Sequence, residues 1–277
     1  MWTCSAPGAV GIVDPMRTAT AYVHGYSATE ARRLGDQADT LAELLHHDTG
    51  YPAGSRVLEV GCGVGAQTVH LVAGSPAAAI TAVDVSAASL AAARDRVGDR
   101  VRWCRADLFA LPFQDGEFEH LFVCFVLEHL PDPVAALHAL RRVLRPGGTV
   151  TVIEGDHGSA FYHPASPHAQ HTIDCLVRLQ PGDALIGRRL HPLLTAAGFR
   201  DVAVTPRTVH ADDAHPHLVA GFTHNTFVAM VEAVRDRALT AGLTTEARWR
   251  EGIADLRRTG DPGGTFTYTF FKATGVG

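Results

Sequence analysis

Lysine is nearly missing from this 277-residue chain: Lys272 stands alone, and arginine supplies the other positive charges. There is no Lys/Arg run, and the net charge is −5, so nothing in the sequence offers a basic groove for nucleic acid phosphates. Cysteine is sparse. Cys4, Cys62, Cys104, Cys124 and Cys175 are odd in number, scattered and without a CxxC pair, which excludes a disulfide framework and a thiolate zinc site. No stretch approaches the roughly 20 consecutive apolar residues of a membrane span. The first fifteen residues lack the basic start and continuous apolar core of a secretion signal. These absences together predict a soluble, reduced, cytoplasmic protein. Alanine and glycine are plentiful and 46% of residues are hydrophobic, enough for a full α/β core.

The most informative stretch is Val57-Leu-Glu-Val-Gly-Cys-Gly-Val-Gly-Ala-Gln-Thr68. An apolar strand runs into a turn with glycine at 61, 63 and 65. An alanine-rich helix follows, and a second apolar strand, Ile80-Thr-Ala-Val-Asp84, ends in an acid. A strand, a glycine turn, a helix and an acid at the next strand tip form a nucleoside-binding βαβ unit. Glycine lets the backbone approach a ligand that a Cβ would push away. Asp84 can accept the ribose hydroxyl protons. The dinucleotide fingerprint of nicotinamide-dependent dehydrogenases fits Gly61, Gly63, Ala66 and Asp84 equally well, so this unit alone leaves the cofactor open.

The following segments are more selective. A third strand, 101–105, precedes Ala106-Asp107-Leu108. A fourth, 121–126, runs into Leu127-Glu-His-Leu-Pro-Asp-Pro133. A helix then leads to Leu144-Arg-Pro-Gly-Gly148 and a fifth strand, 149–154. In order and spacing these motifs resemble the class I S-adenosylmethionine-dependent methyltransferases over roughly residues 55–155, with a looser similarity to bacterial natural-product enzymes, including terpenoid C-methyltransferases of antibiotic and other secondary metabolism. The resemblance implies a Rossmann-like α/β fold, with a seven-stranded, mostly parallel sheet and helices on both faces. It implies S-adenosyl-L-methionine as cofactor and S-adenosyl-L-homocysteine as product. Residue by residue, it places Glu59, Gly61, Cys62, Gly63 and Gln67 along the methionine portion. Asp84 falls on the ribose and Val85 on the adenine. Asp107 and the Leu108 amide meet the adenine edge, and Phe125 lies beside the methionine amino group. Tyr22, on an N-terminal helix, would face the sulfonium, since an aromatic face attracts a cation; packing of an amphipathic helix explains it equally, and Gln37 on the same helix is a weaker candidate.

Organisation follows from periodicity. Residues 1–50 read as a helical arm, with a loose start and a helix over 17–47. Residues 51–277 read as the catalytic domain. From 56 to 154 strands and helices alternate, which predicts a parallel sheet whose ligands bind at the carboxyl ends of the strands. The sixth strand is expected near 199–209. The seventh, antiparallel strand is expected only at 265–274. Two insertions, an irregular 155–185 and a helical 210–262, separate these elements and should cap a substrate pocket, because connections this long in a compact domain are usually binding elements. Phe161, Tyr162, Phe222 and Phe227 would make that pocket apolar, although helix core accounts for the last two as readily. A small hydrophobic acceptor follows, with methyl transfer by in-line displacement. Glu154 and His157, just after the fifth strand, are the candidate catalytic residues, with His129 and Asp156 nearby. Nine of the sixteen histidines fall between 157 and 224, but their spacing supports no metal site. The arm and the cap are the elements through which a homo-oligomer would form. Competing readings are a dehydrogenase, a protein methyltransferase and a non-catalytic cofactor-binding protein.

Overall fold

The computed structural model describes residues 28–277; the reading at Tyr22 lies outside them. Alternating apolar strands and helices fold into one eight-stranded sheet. Helix α1 (Ala28–His46) leads into β1 (Arg56–Val60). Then come α2 (Thr68–Gly74), β2 (Ala79–Asp84), α3 (Ala87–Val97) and β3 (Arg102–Arg105). They are followed by β4 (Phe118–Cys124), α4 (Pro133–Val143) and β5 (Leu144–Gly155). The spatial order β3-β2-β1-β4-β5 is parallel throughout, with the reversal of direction at β1/β4. Ligands of open α/β sheets bind at such a switch point. Helix starts follow local chemistry. Ser86 caps α3 by accepting from Ser89 N, and Asp132 caps α4 by accepting from Ala135 N, with Pro133 in the first turn.

Residues 155–185 are not irregular. They carry β6 (Phe161–His163) and a 13-residue helix, α5 (Pro167–Leu179), capped by Ser166. After α6 (Leu190–Ala196), Gly198 takes φ 85° and turns the chain into β7 (Arg200–Ala211). The helical run that follows comprises α7 (Pro216–Leu218), π-helical turns over Val219–Val228 and α8 (Ala229–Ala233). Helices α9 (Arg235–Thr240) and α10 (Glu246–Arg258) precede β8 (Thr265–Val276). β8 lies antiparallel between β5 and β7. The strand beyond the expected seven, β6, continues the line of β5 along the same edge of β8. β5 pairs Thr149–Gly155 with Val276–Phe270, and β6 pairs Phe161–His163 with Thr267–Thr265. Between them the chain bulges out through a 3-10 turn at His157–Ser159, and Ser159 Oγ fills the gap in the ladder by accepting from Thr269 N at 2.9 Å.

The two faces of the sheet bury separate cores. Leu58, Val60, Val83, Leu121, Val123 and Val152 pack against α4 and α6. Val57, Ile80, Phe122 and Ile153 pack against α1 and α2, and the same core extends along the upper half of β8 into the inserted helices. There Phe266, Tyr268 and Phe270 meet Phe222 and Phe227, with ring centroids 4.7–6.1 Å apart. Phe222 and Phe227 are thus helix core, whereas Phe161 is 64% exposed. Among the described residues no helix is long and apolar enough to cross a membrane.

Candidate functional site

The carboxyl ends of β1 to β4 converge through backbone contacts. Gly61 N and Cys62 N donate to Val83 O, Ala106 N donates to Asp84 O, and Phe125 N donates to Ile153 O. Gly61, Gly63 and Gly65 all have positive φ. The site-facing one, Gly63, would carry a Cβ in open space, room that suits a ligand. Asp84 locks this loop: Oδ2 accepts from Gly63 N at 2.9 Å and Oδ1 from Ser86 N at 2.8 Å. Beyond Asp84, Val85 is 53% exposed, and Phe109, half exposed, sits in the 3-10 turn that Asp107 caps by accepting from its amide. Two bare apolar side chains next to an acid that can hold a ribose make a fitting seat for an adenine ring. Phe109 escaped the sequence reading because an exposed aromatic in a loop has no periodicity to betray it. Leu108 is half-buried beside Asp107.

Glu59 is buried on β1, with Oε2 lacking a well-formed hydrogen bond and only the Thr68 hydroxyl beside it. Burial pushes its carboxyl up to about 7, and Asp84 nearby adds to the shift. A buried carboxylate oxygen in want of a donor, next to an open glycine turn, suits an ammonium group such as that of methionine. The raised value has a consequence for stability. The folded chain holds a proton on Glu59 that the unfolded chain releases above about 4.5, so stability falls as pH rises from about 4.5 to about 7. The expected contribution is about 3 kcal/mol, read as the difference in urea unfolding between pH 5 and pH 8. Glu59→Gln should remove that part of the slope. Equal slopes in both proteins would mean that Glu59 is ionised throughout.

Gln67 and Cys62 are less available than expected. Gln67 Oε1 lies 2.7 Å from His46 Nε2, which ties α1 to the start of α2, and the His46 ring stacks on His70. Burial holds His46 down to about 4, so it remains neutral. Cys62 is buried and its thiol is pushed up by burial, which leaves it inert.

Phe125 adopts φ 57°, a left-handed conformation that costs an L-residue with a bulky side chain on the order of 1–2 kcal/mol. Glu154 holds this strained turn: its Oε1 accepts from Val126 N at 3.0 Å and Leu127 N at 2.7 Å. Glu154 is fully buried, and burial together with nearby Glu128 raises its carboxyl well above the usual range. It is therefore closed off from solvent. His157 joins a second cluster. Nδ1 is 2.8 Å from Tyr268 Oη and Nε2 is 3.6 Å from Glu128 Oε2, and burial lowers its basicity. Burial also keeps the Tyr268 phenol protonated, and its hydroxyl donates to Nδ1 or accepts from it according to the His157 tautomer. Gln180 Nε2 reaches Glu128 and His129, and Asp183 N donates to Glu128 O. Arg33, on α1, is near enough to disfavour the imidazolium. Asp156 faces away, accepting a paired contact from Arg188 at 2.5 and 2.8 Å. Glu128 was legible only as part of the Leu127–Pro133 motif. Tyr268 and Gln180 were invisible, because their partners lie 111 and 52 residues away in sequence.

Residues 58–152 match the sequence pattern of the methyltransferase-domain family. The chain is 32% identical over 213 residues to an uncharacterized 37.1 kDa protein in transposon TN4556 of Streptomyces fradiae, covering 73% of this chain and 58% of that one. It is 34% identical over 126 residues to methyltransferase GfsG of Streptomyces halstedii, covering 44% and 45%. The chain thus spans about half the length of the curated relatives it matches. Its fold is similar to that of Haemonchus contortus phosphoethanolamine N-methyltransferase 2 bound to S-adenosyl-L-methionine, with TM-score 0.54, 18% identity, and 86% of this chain and 52% of the other covered.

Proposed function

We propose that this chain, whose residues 58–152 match the methyltransferase-domain family, transfers a methyl group from S-adenosylmethionine to a small, hydrophobic acceptor of secondary metabolism. The observation that carries the reading is the convergence of Gly63, Asp84, Val85, Glu59 and Phe125 at one switch point, with an open glycine turn and an under-bonded buried carboxylate. The same match disfavours the dehydrogenase alternative, which leaves the segments after β3 and α4 unexplained. A net charge of −5 argues against nucleic acid as acceptor.

When bound, S-adenosylmethionine supplies a methyl group on a positively charged sulfur that leaves as a neutral thioether. The protein has to align the acceptor, exclude water and take up a proton where the acceptor loses one. Asp84 and Glu59 would hold the polar ends of the cofactor, Val85 and Phe109 would pack on the adenine, and the turn at Phe125 would face its methionine portion. His157, held between Tyr268 and Glu128, is the group suited to take up the acceptor's proton: in the tautomer whose Nδ1–H donates to Tyr268 Oη, Nε2 keeps the lone pair that receives it, and Glu128 stabilises the imidazolium that forms. Glu154 acts as a positioning residue through the Val126 and Leu127 amides. In this reading α5, the π-helical turns and α10, which share one core with β8, enclose the acceptor, and exposed Phe161 supplies apolar surface for it.

Calorimetric titration with S-adenosylmethionine, S-adenosylhomocysteine and NAD tests the cofactor: micromolar binding of the first two and none of NAD is expected. NAD binding alone would end the methyltransferase reading. A screen of small hydrophobic hydroxyl and amine compounds with labelled methyl then identifies the acceptor. On that acceptor, His157→Ala should lower kcat by about 10²–10⁴-fold, the usual range for a lost acid–base group, with the S-adenosylhomocysteine affinity unchanged.

A further inference from the structure

A second cleft opens on the α1 face of the sheet, well away from the cofactor loop. It has a volume of about 180 Å³ and lies between the turn that ends α1 and strands β5, β7 and β8. Thr151 in its wall sits three residues before Glu154, so the cleft lies roughly 10 Å down β5 from the carboxyl end of the sheet, at about 3.3 Å per residue. Its floor holds Lys272, the chain's lone lysine, which is 5% exposed. Lys272 Nζ donates to Asp48 Oδ1 and Thr49 Oγ1, both at 2.5 Å, and approaches Leu45 O at 3.4 Å. Arg207 pairs with the other oxygen of Asp48, and its Nη1 donates to His47 Nε2 at 3.0 Å.

The cleft has too many donors. One carboxylate, Asp48, faces two cations, Lys272 and Arg207, which leaves one positive charge uncompensated. Arg207 Nε is buried without a hydrogen-bond partner among the described residues. Tyr51 Oη is buried with only the Thr151 hydroxyl beside it. An unmet buried donor costs on the order of 1–3 kcal/mol, and native proteins usually answer such donors with a bound ion or water. The mouth, at Ala203, Thr205 and Thr274, is open to solvent. We propose that this cleft is a binding site for a small oxyanion, a phosphate or a carboxylate, that accepts from Arg207 Nε and from the Tyr51 and Thr151 hydroxyls, while Lys272, whose three protons are taken by Asp48, Thr49 and Leu45 O, contributes its charge. The occupant fastens the end of α1 to the sheet, and α1 is the helix that brings Arg33 toward His157.

Calorimetry of the full chain with sodium phosphate and, separately, sodium acetate, at constant ionic strength in a chloride buffer, tests this. Saturable binding with a rise in Tm is expected, and the tighter of the two anions identifies the oxyanion class. Lys272→Met should abolish it. Because Lys272→Met also breaks the tie to Asp48 at the end of α1, Thr205→Glu provides the second variant: its carboxylate occupies the exposed mouth and should weaken binding by at least about tenfold. S-Adenosylhomocysteine binding should persist in Thr205→Glu, which shows that the fold and the cofactor site are intact. No saturable binding of either anion at tens of millimolar, or binding equally strong in wild type and Thr205→Glu, would overturn the proposal.

Discussion

Asp84→Ala should lower the affinity for S-adenosylhomocysteine at least about a hundredfold, close to 3 kcal/mol. The effect is large because one carboxylate serves two purposes. Its oxygens accept from Gly63 N at 2.9 Å and Ser86 N at 2.8 Å, so they hold the glycine turn in its left-handed geometry and fix the start of α3. The remaining lone pairs face the position proposed for the ribose hydroxyls. Alanine removes the charged acceptor and releases the loop, and hydrogen bonds to charged groups contribute about 1.5–3 kcal/mol each. Asp84→Asn keeps one oxygen acceptor and should lose less. Calorimetry at fixed pH decides the matter: an Asp84→Ala affinity within threefold of wild type would place the ribose elsewhere.

Glu154→Ala should destabilise the fold by about 2–6 kcal/mol, since two buried amides lose their acceptor at roughly 1–3 kcal/mol each. Val126 N and Leu127 N would lose their acceptor beneath a turn already strained at Phe125. Glu154→Gln should be much milder. Burial and nearby Glu128 favour the neutral form of Glu154, and glutamine reproduces a neutral group with an Oε1 acceptor. Urea unfolding of both variants, with S-adenosylhomocysteine titration beside it, separates positioning from direct chemistry. If Glu154→Gln keeps stability and cofactor affinity but loses turnover, Glu154 touches the acceptor and the positioning role is wrong.

How far the sequence could be read depended on the range of the forces involved. The βαβ unit, the parallel core and the antiparallel last strand at 265–274 were legible because periodicity and glycine placement are local. The 155–185 segment was not legible as a helix, because its proline and histidine content masks the apolar stripe of α5, and its Ser166 cap with Pro167 following is a weak signal alone. Phe222 and Phe227 read equally as pocket or core, and only their packing against three aromatics of β8 decided for core.

The sequence by itself determined the class of fold, the strand ends at which a nucleoside-containing cofactor would sit and the identity of the acid at the second strand tip. Those follow from hydrophobic period and from the backbone freedom of glycine, both properties of neighbouring residues. Only the tertiary structure decided that Glu154 is a buried brace, that His157 is held between Tyr268 and Glu128, that Gln67 is engaged by His46 and that Lys272 lies in a polar cleft beside Arg207. Each of these depends on burial and on partners brought together from distant parts of the chain. Desolvation and Coulomb interaction act on distance in space, which the linear order of residues does not encode.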